Sequence, residues 1–83
     1  MSLLEDVTRT LDEVLSLGGR ARAFNRDTHL LGAIPELDSM AVVSLITMLE
    51  ERFGIAVDDD DIDGATFASV GTLVDFVAAK QAG

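Results

Sequence analysis

Val42, Leu45, Ile46, Leu49 and Phe53 recur at the i, i+3, i+4, i+7, i+11 spacing of one apolar helical face, and Gly54 stands where that helix would stop. Ser39, directly after Asp38, therefore falls at a helix N-terminus. The first amides of a helix lack intrahelical acceptors and its dipole favours negative charge there, so a phosphate ester on an outward-facing Ser39 hydroxyl is electrostatically favoured. Ser and Asp are also the usual N-caps, and either Asp38 or Ser39 serves to accept a bond from an amide one turn on. Spacing alone favours the cap.

Other chemistries have less support. A hydrolytic serine needs a base within reach, yet His29 is the only histidine and no Gly-x-Ser-x-Gly elbow surrounds Ser39. His29 reads as a loop residue at the surface or covering the core. Asp59, Asp61, Asp63 and Gly64 match the first, third, fifth and sixth positions of a calcium loop. Its ninth position is Phe67, however, and its twelfth, which must supply a bidentate Glu, is Val70. A solvated acidic turn is the better reading, and no metal site is assigned. Cysteine is absent, which excludes disulfides, thiolate metal sites and a protein thiol nucleophile. Any thioester chemistry must take its sulfur from a prosthetic group.

Six basic residues against fifteen acidic ones give a net charge of −9, the wrong sign for binding a phosphate backbone. Nucleic acid is excluded as a partner, whereas proteins with Arg or Lys patches fit and would be met in a salt-sensitive way. The N-terminus, Met1-Ser2-Leu3-Leu4-Glu5-Asp6, lacks the basic region of a secretory signal. The longest apolar run, Met40 to Leu49, falls far short of the ~20 residues that span a bilayer. These features together place the chain in the cytoplasm.

The elements that must position Ser39 follow from periodicity. A chain of 83 residues supports one domain, residues 1–83, and folding at this size buries only about 60 to 65% of the unfolded surface, which makes a deep walled site hard to build. Ser2 and Glu5 have capping-box spacing, and Leu3, Leu4, Val7, Leu11, Val14 and Leu15 share a face, predicting a first helix from about Leu3 to Leu17 ended by Gly18-Gly19. From Gly19 to Asp38 no period is clean, but Phe24, Leu30, Leu31, Ile34 and Leu37 are placed to plug a core. Pro35 biases Ile34 away from helix and helps set where the second helix begins. Ile55 and Val57 are expected to bury alternately, and Asp58 to cap a short helical turn through Ile62 ended by Gly64. Val70, Leu73, Val74 and Val77 form the last apolar face, with Ser69 as its N-cap and Lys80 suited to its C-terminal dipole. The expected fold is all-α, a small antiparallel bundle of three longer helices and one short one.

From Thr28 to Val77 the chain resembles the acyl carrier proteins. Asp38-Ser39-Met40 is similar to the family's Asp-Ser-Leu motif, and Leu49-Glu50-Glu51-Arg52-Phe53-Gly54-Ile55 and the acidic Asp58 to Asp61 follow in the family's order. The resemblance implies a phosphopantetheine arm on Ser39, with Asp38 as its motif neighbour. It also implies a freestanding, monomeric, non-catalytic carrier that holds acyl or aminoacyl groups as thioesters, as in fatty acid or polyketide synthesis. Implied partners are a phosphopantetheinyl transferase, a loading ligase and downstream enzymes with basic surfaces. Five residues, Ala33 to Leu37, separate Gly32 from Asp38, where the family leaves about one, so the loop geometry departs from the pattern.

Met40 and Val43, with Ala41 and Ser44 nearby, lie off the main apolar stripe and are placed to form an exposed patch beside Ser39. The family often carries acidic residues on this face; Glu50 and Glu51 match, while Ala41 and Ser44 do not. Met40, Val43, Glu50 and Glu51 are thus the expected partner contacts, more apolar than in a typical fatty-acid carrier. The Leu-Asp-Ser-Met form is also similar to D-alanyl and other aminoacyl carriers, and the longer Ile-Pro-Glu-Leu-Asp-Ser-Met stretch to discrete carriers of specialised or exosortase-linked bacterial pathways. From a different class, an unmodified acidic helical module that binds proteins, with Ser39 only as a cap, is the competing reading.

Overall fold

Ser2 opens the first helix as expected: its hydroxyl accepts from the Glu5 amide at 3.1 Å, and α1 runs Leu3–Leu15. The computed structural model describes residues 2–58, 61 and 64–82. Val7, Leu11 and Leu15 are buried along one face, with Leu3, Leu4 and Val14 packed at its edges. Thr8 and Thr10 are buried too, their hydroxyls donating back to the carbonyls of Glu5 and Asp6 so that neither is left unpaired. The helix ends two residues earlier than the sequence suggests. Ser16, not a glycine, takes the left-handed cap at φ 54°, and both its amide and that of Leu17 return to the Asp12 carbonyl. This early stop turns Leu17 back into the core. Gly18 and Gly19 then bend the chain into a 3₁₀ helix, Arg20–Ala23, that the sequence does not announce.

Helix α2 spans Ser39–Phe53 and ends on Gly54, left-handed at φ 64°. Leu45 and Leu49 are buried, while Val42, Ile46 and Phe53 pack against the core at its margin. Helix α3, Val70–Ala82, buries Val70, Leu73, Val74 and Val77, the four residues expected. Ser69 Oγ accepts from the Thr72 amide at 3.3 Å, and Thr72 Oγ1 in turn accepts from the Ser69 amide at 3.0 Å, a reciprocal cap.

The long first loop is held by backbone pairing. The amides of Leu30 and Leu31 donate to Ala68 and Phe67, and those of Val70 and Gly71 donate to Thr28 and Arg26, all within 3.0 Å. The loop's polar backbone is thereby satisfied against the segment entering α3. Of the five apolar loop residues expected inside, Leu30 and Leu37 are buried and Phe24 and Ile34 pack on the core, but Leu31 is 48% exposed. Phe67, considered from sequence only as a calcium-loop position, is a core residue. Ile55 and Val57 are half-buried and alternate with exposed Ala56 and Asp58, as anticipated. The short helix expected from Asp58 to Ile62 falls largely outside the described residues; the Asp61 amide donates to the Asp58 carbonyl at 2.9 Å. Helix α1 packs against both α2 and α3, and the three cover a single core.

Candidate functional site

Asp38, in extended backbone, is the N-cap of α2. Its Oδ1 accepts from the Ala41 amide at 2.8 Å, and its carbonyl accepts from the Val42 amide at 2.9 Å. Of the two candidate caps, then, Asp38 does the work, and Ser39 occupies the first helical position with its side chain exposed. Among the described residues nothing hydrogen-bonds to the Ser39 hydroxyl, and the amides of Ser39 and Met40 have no protein acceptor. A free hydroxyl beside two open amides at a helix N-terminus fits a phosphodiester, whose charge those amides and the dipole favour. This arrangement can be modified, but nothing in it activates the serine. His29 is exposed, engages Ser69 through a backbone bridge, and makes no hydrogen bond to Ser39.

The flanking surface is apolar. Met40 is 78% exposed and Val43 64%, and Ser44 and Thr47 beside them are exposed as well. No ionisable side chain occurs from Ser39 to Leu49. Ala41, expected near this patch, instead turns partly inward against the core. Glu51 is exposed, whereas Glu50 is half-buried and its Oε2 accepts from the Val57 amide at 3.0 Å. Glu50 therefore anchors the chain leaving α2, a role its spacing did not suggest.

Of the acidic turn, Asp59 and Asp63 lie outside the described residues. Asp61 is committed to the fold: its Oδ2 accepts from Lys80 Nζ at 2.5 Å and from the Asp58 amide at 3.1 Å. The bond from Lys80, and after it the one from the backbone, holds the Asp61 carboxyl below its ordinary 3.8. Lys80, matched from sequence to the helix dipole, also lies 5.9 Å from the centre of the Phe76 ring. Among the described residues one open cleft lies between α1 and the 3₁₀ helix and another between the end of α2 and α3; neither is lined by Asp38 or Ser39.

Residues that hold the turn before Ser39 carry no signal in the periodicity of the sequence. Arg20 donates through one terminal nitrogen to Glu36 and through Nε to the Leu17 carbonyl at 3.2 Å. The bond from Arg20, followed by one from its own backbone, holds the Glu36 carboxyl below its ordinary 4.5. Arg20 and Glu36 lie sixteen residues apart in a stretch without periodicity, so only opposite charge could have hinted at the pair.

A helical bundle that presents an unengaged serine at a helix end, with no base or enclosing wall among the described residues, is built to bear a group rather than to turn one over. Comparison with known proteins agrees. Residues 5–77 match the family model described as the phosphopantetheine attachment site. Over 80 residues the chain is 34% identical to an acyl carrier protein of Prochlorococcus marinus (strain MIT 9515), covering 95% of this chain and 92% of that one. It is 49% identical to a holo acyl carrier protein of Nitrosomonas europaea solved by solution NMR, with a TM-score of 0.92 and both chains covered completely. The chain belongs to the phosphopantetheine-attachment family of acyl carrier proteins. It is a carrier of acyl thioesters, not an enzyme, and its prosthetic group is a covalently attached phosphopantetheine.

Proposed function

We propose that Ser39 is the residue that bears the phosphopantetheine. The observation that carries this reading is the division of labour at the start of α2: Asp38 takes the cap, leaving an exposed Ser39 hydroxyl without a partner among the described residues. In the attachment step Ser39 Oγ attacks the coenzyme A phosphorus that bears the pantetheine. The P–O bond to the nucleotide breaks and adenosine 3′,5′-bisphosphate leaves. Because no base among the described residues engages Ser39, the hydroxyl proton passes to the phosphopantetheinyl transferase. Once attached, the group supplies a thiol that holds an acyl chain as a thioester. The chain's own contributions are the capped helix end, the two open amides and the flanking surface.

Met40, Val43 and Glu51 form the contact surface around that serine in this reading, since all three are exposed on α2. Glu50 contributes indirectly by holding Val57. The charge of −9 supports partners with basic surfaces, namely the transferase, an acyl-loading ligase and downstream acyl-processing enzymes. No helix among the described residues is long and apolar enough to cross a membrane, and a monomer acting in the cytoplasm agrees with the family. Intact-protein mass, measured before and after incubation with coenzyme A and a broad-specificity transferase, tests the assignment. Wild type is expected to gain one phosphopantetheine and Ser39→Ala none; a gain on the mutant would move the site elsewhere.

A further inference from the structure

The segment entering α2 departs from the family's spacing, and the structure shows what holds it. Asp12, on α1, receives the amides of Gly19 (2.9 Å to Oδ2) and Ala21 (3.2 Å), which fixes the 3₁₀ helix to α1. From that helix Arg20 reaches across to Glu36, in the turn just before the cap. The Glu36 carbonyl accepts from the Asp38 amide at 3.2 Å, and Asp38 caps α2. Buried Leu37 pins the same turn from the core side. A continuous line of polar contacts thus runs from the middle of α1 to the residue preceding Ser39.

We infer that Glu36, held by Arg20, is a positioning residue for modification of Ser39, bracing the Asp38 cap so that the serine is presented on an unfrayed helix end. The inference rests on Ser39 being the attachment residue. Helix ends fray, and without this pair the turn at 34–37 is held by Leu37 and Ile34 against the core and by its own backbone bonds, with no tie to α1 through the 3₁₀ helix. Arg20 and Glu36 depend on each other unequally. Arg20 keeps its bond to the Leu17 carbonyl if Glu36 is removed. Glu36 Oε1 is covered and has no donor among the described residues, so loss of Arg20 leaves the carboxylate only the bond from its own backbone. The Glu36 side chain as a whole stays 35% exposed, which limits the effect to that of an exposed pair.

The test compares wild type, Glu36→Gln, Arg20→Gln and the reversed pair Arg20→Glu with Glu36→Arg. Two readouts are taken: transferase kinetics, and amide hydrogen exchange of the apo protein. Glu36→Gln is expected to lower kcat/KM for loading roughly two- to fivefold, the range an exposed ion pair supports, through kcat rather than KM. Arg20→Gln falls at least as far. The Ala41 and Val42 amides, both bonded to Asp38, exchange faster by a similar factor, while Leu73 and Val77 in α3 do not change. The reversed pair recovers most of both losses. Wild-type loading and exchange in Glu36→Gln would overturn the inference. So would a rise in KM that the reversed pair fails to repair, which would make Glu36 a direct contact of the transferase. Failure of the Ser39 assignment would show separately, as loading that survives Ser39→Ala or is absent from wild type, and the exchange measurement judges the brace in either case.

Discussion

Ser39→Ala removes an exposed hydroxyl that makes no hydrogen bond among the described residues, so its stability should stay within about 0.5 kcal/mol of wild type, as for most surface changes. Asp38→Ala, one residue earlier, removes the acceptor for the Ala41 amide and should cost about 1 kcal/mol, the usual loss of an N-cap. Thermal melts of the two variants separate the roles. Were Ser39 only a cap, as in an unmodified binding module, the order of the two losses would reverse. Periodicity could place both residues at a helix start but could not choose between them, because the choice lies in one backbone torsion and one side-chain bond.

At the scale of elements, α3 is held at both ends by contacts of different kinds. At its start, a Cβ on Gly71 would lie 2.9 Å from the Arg26 carbonyl oxygen, the atom that accepts the Gly71 amide. Backbone cannot yield as a flexible side chain does, so Gly71→Ala should destabilise by about 1–3 kcal/mol, the range for overpacking, read as a lower denaturant midpoint at unchanged slope. Toward its end, Lys80 ties α3 to Asp61. The folded Asp61 carboxyl is held below its ordinary 3.8, so its contribution is fully present above that value and is lost as pH falls through the lowered one. Asp61→Asn should therefore be less stable than wild type at pH 7, and the difference should shrink as pH drops below about 4. Melts of both proteins across that range check it, and a difference that stays constant would assign the effect to something other than the ion pair.

For the whole molecule, the proposed function divides the task of meeting a partner between the charge of −9 and the uncharged start of α2. In the proposed function, long-range attraction to a partner's basic surface would come from the acidic chain and weaken with salt. The proposed contact beside Ser39, exposed Met40 and Val43, is apolar and would not be screened. Substituting both by Asp should slow loading severalfold at every salt concentration while leaving the melt nearly unchanged, since neither side chain is in the core. Loading rates measured from low to high salt would show it, and equal rates for mutant and wild type would remove the patch from the interface. The overall size suits such a compact bundle: the radius of gyration is 11.5 Å, against roughly 12 Å expected for a domain of this length.

The sequence by itself determined the three helices, their buried faces and the place of Ser39. Apolar stripes at helical spacing such as Val70, Leu73, Val74 and Val77 can be buried together only on one face, and Ser2 and Ser69 mark helix starts by local bonding alone. Tertiary structure decided everything that depends on a distant partner. Leu30 is buried and Leu31 exposed because the backbone pairing with Phe67 and Ala68 sets which side of the loop faces inward. Phe67 is core for the same reason. Glu50 holds Val57, and Arg20 holds Glu36, across intervals with no helical period to betray them. Periodicity reports which face of an element is apolar. It carries no information about which polar atoms from separate segments will meet, because those meetings are set by how the elements pack against one another.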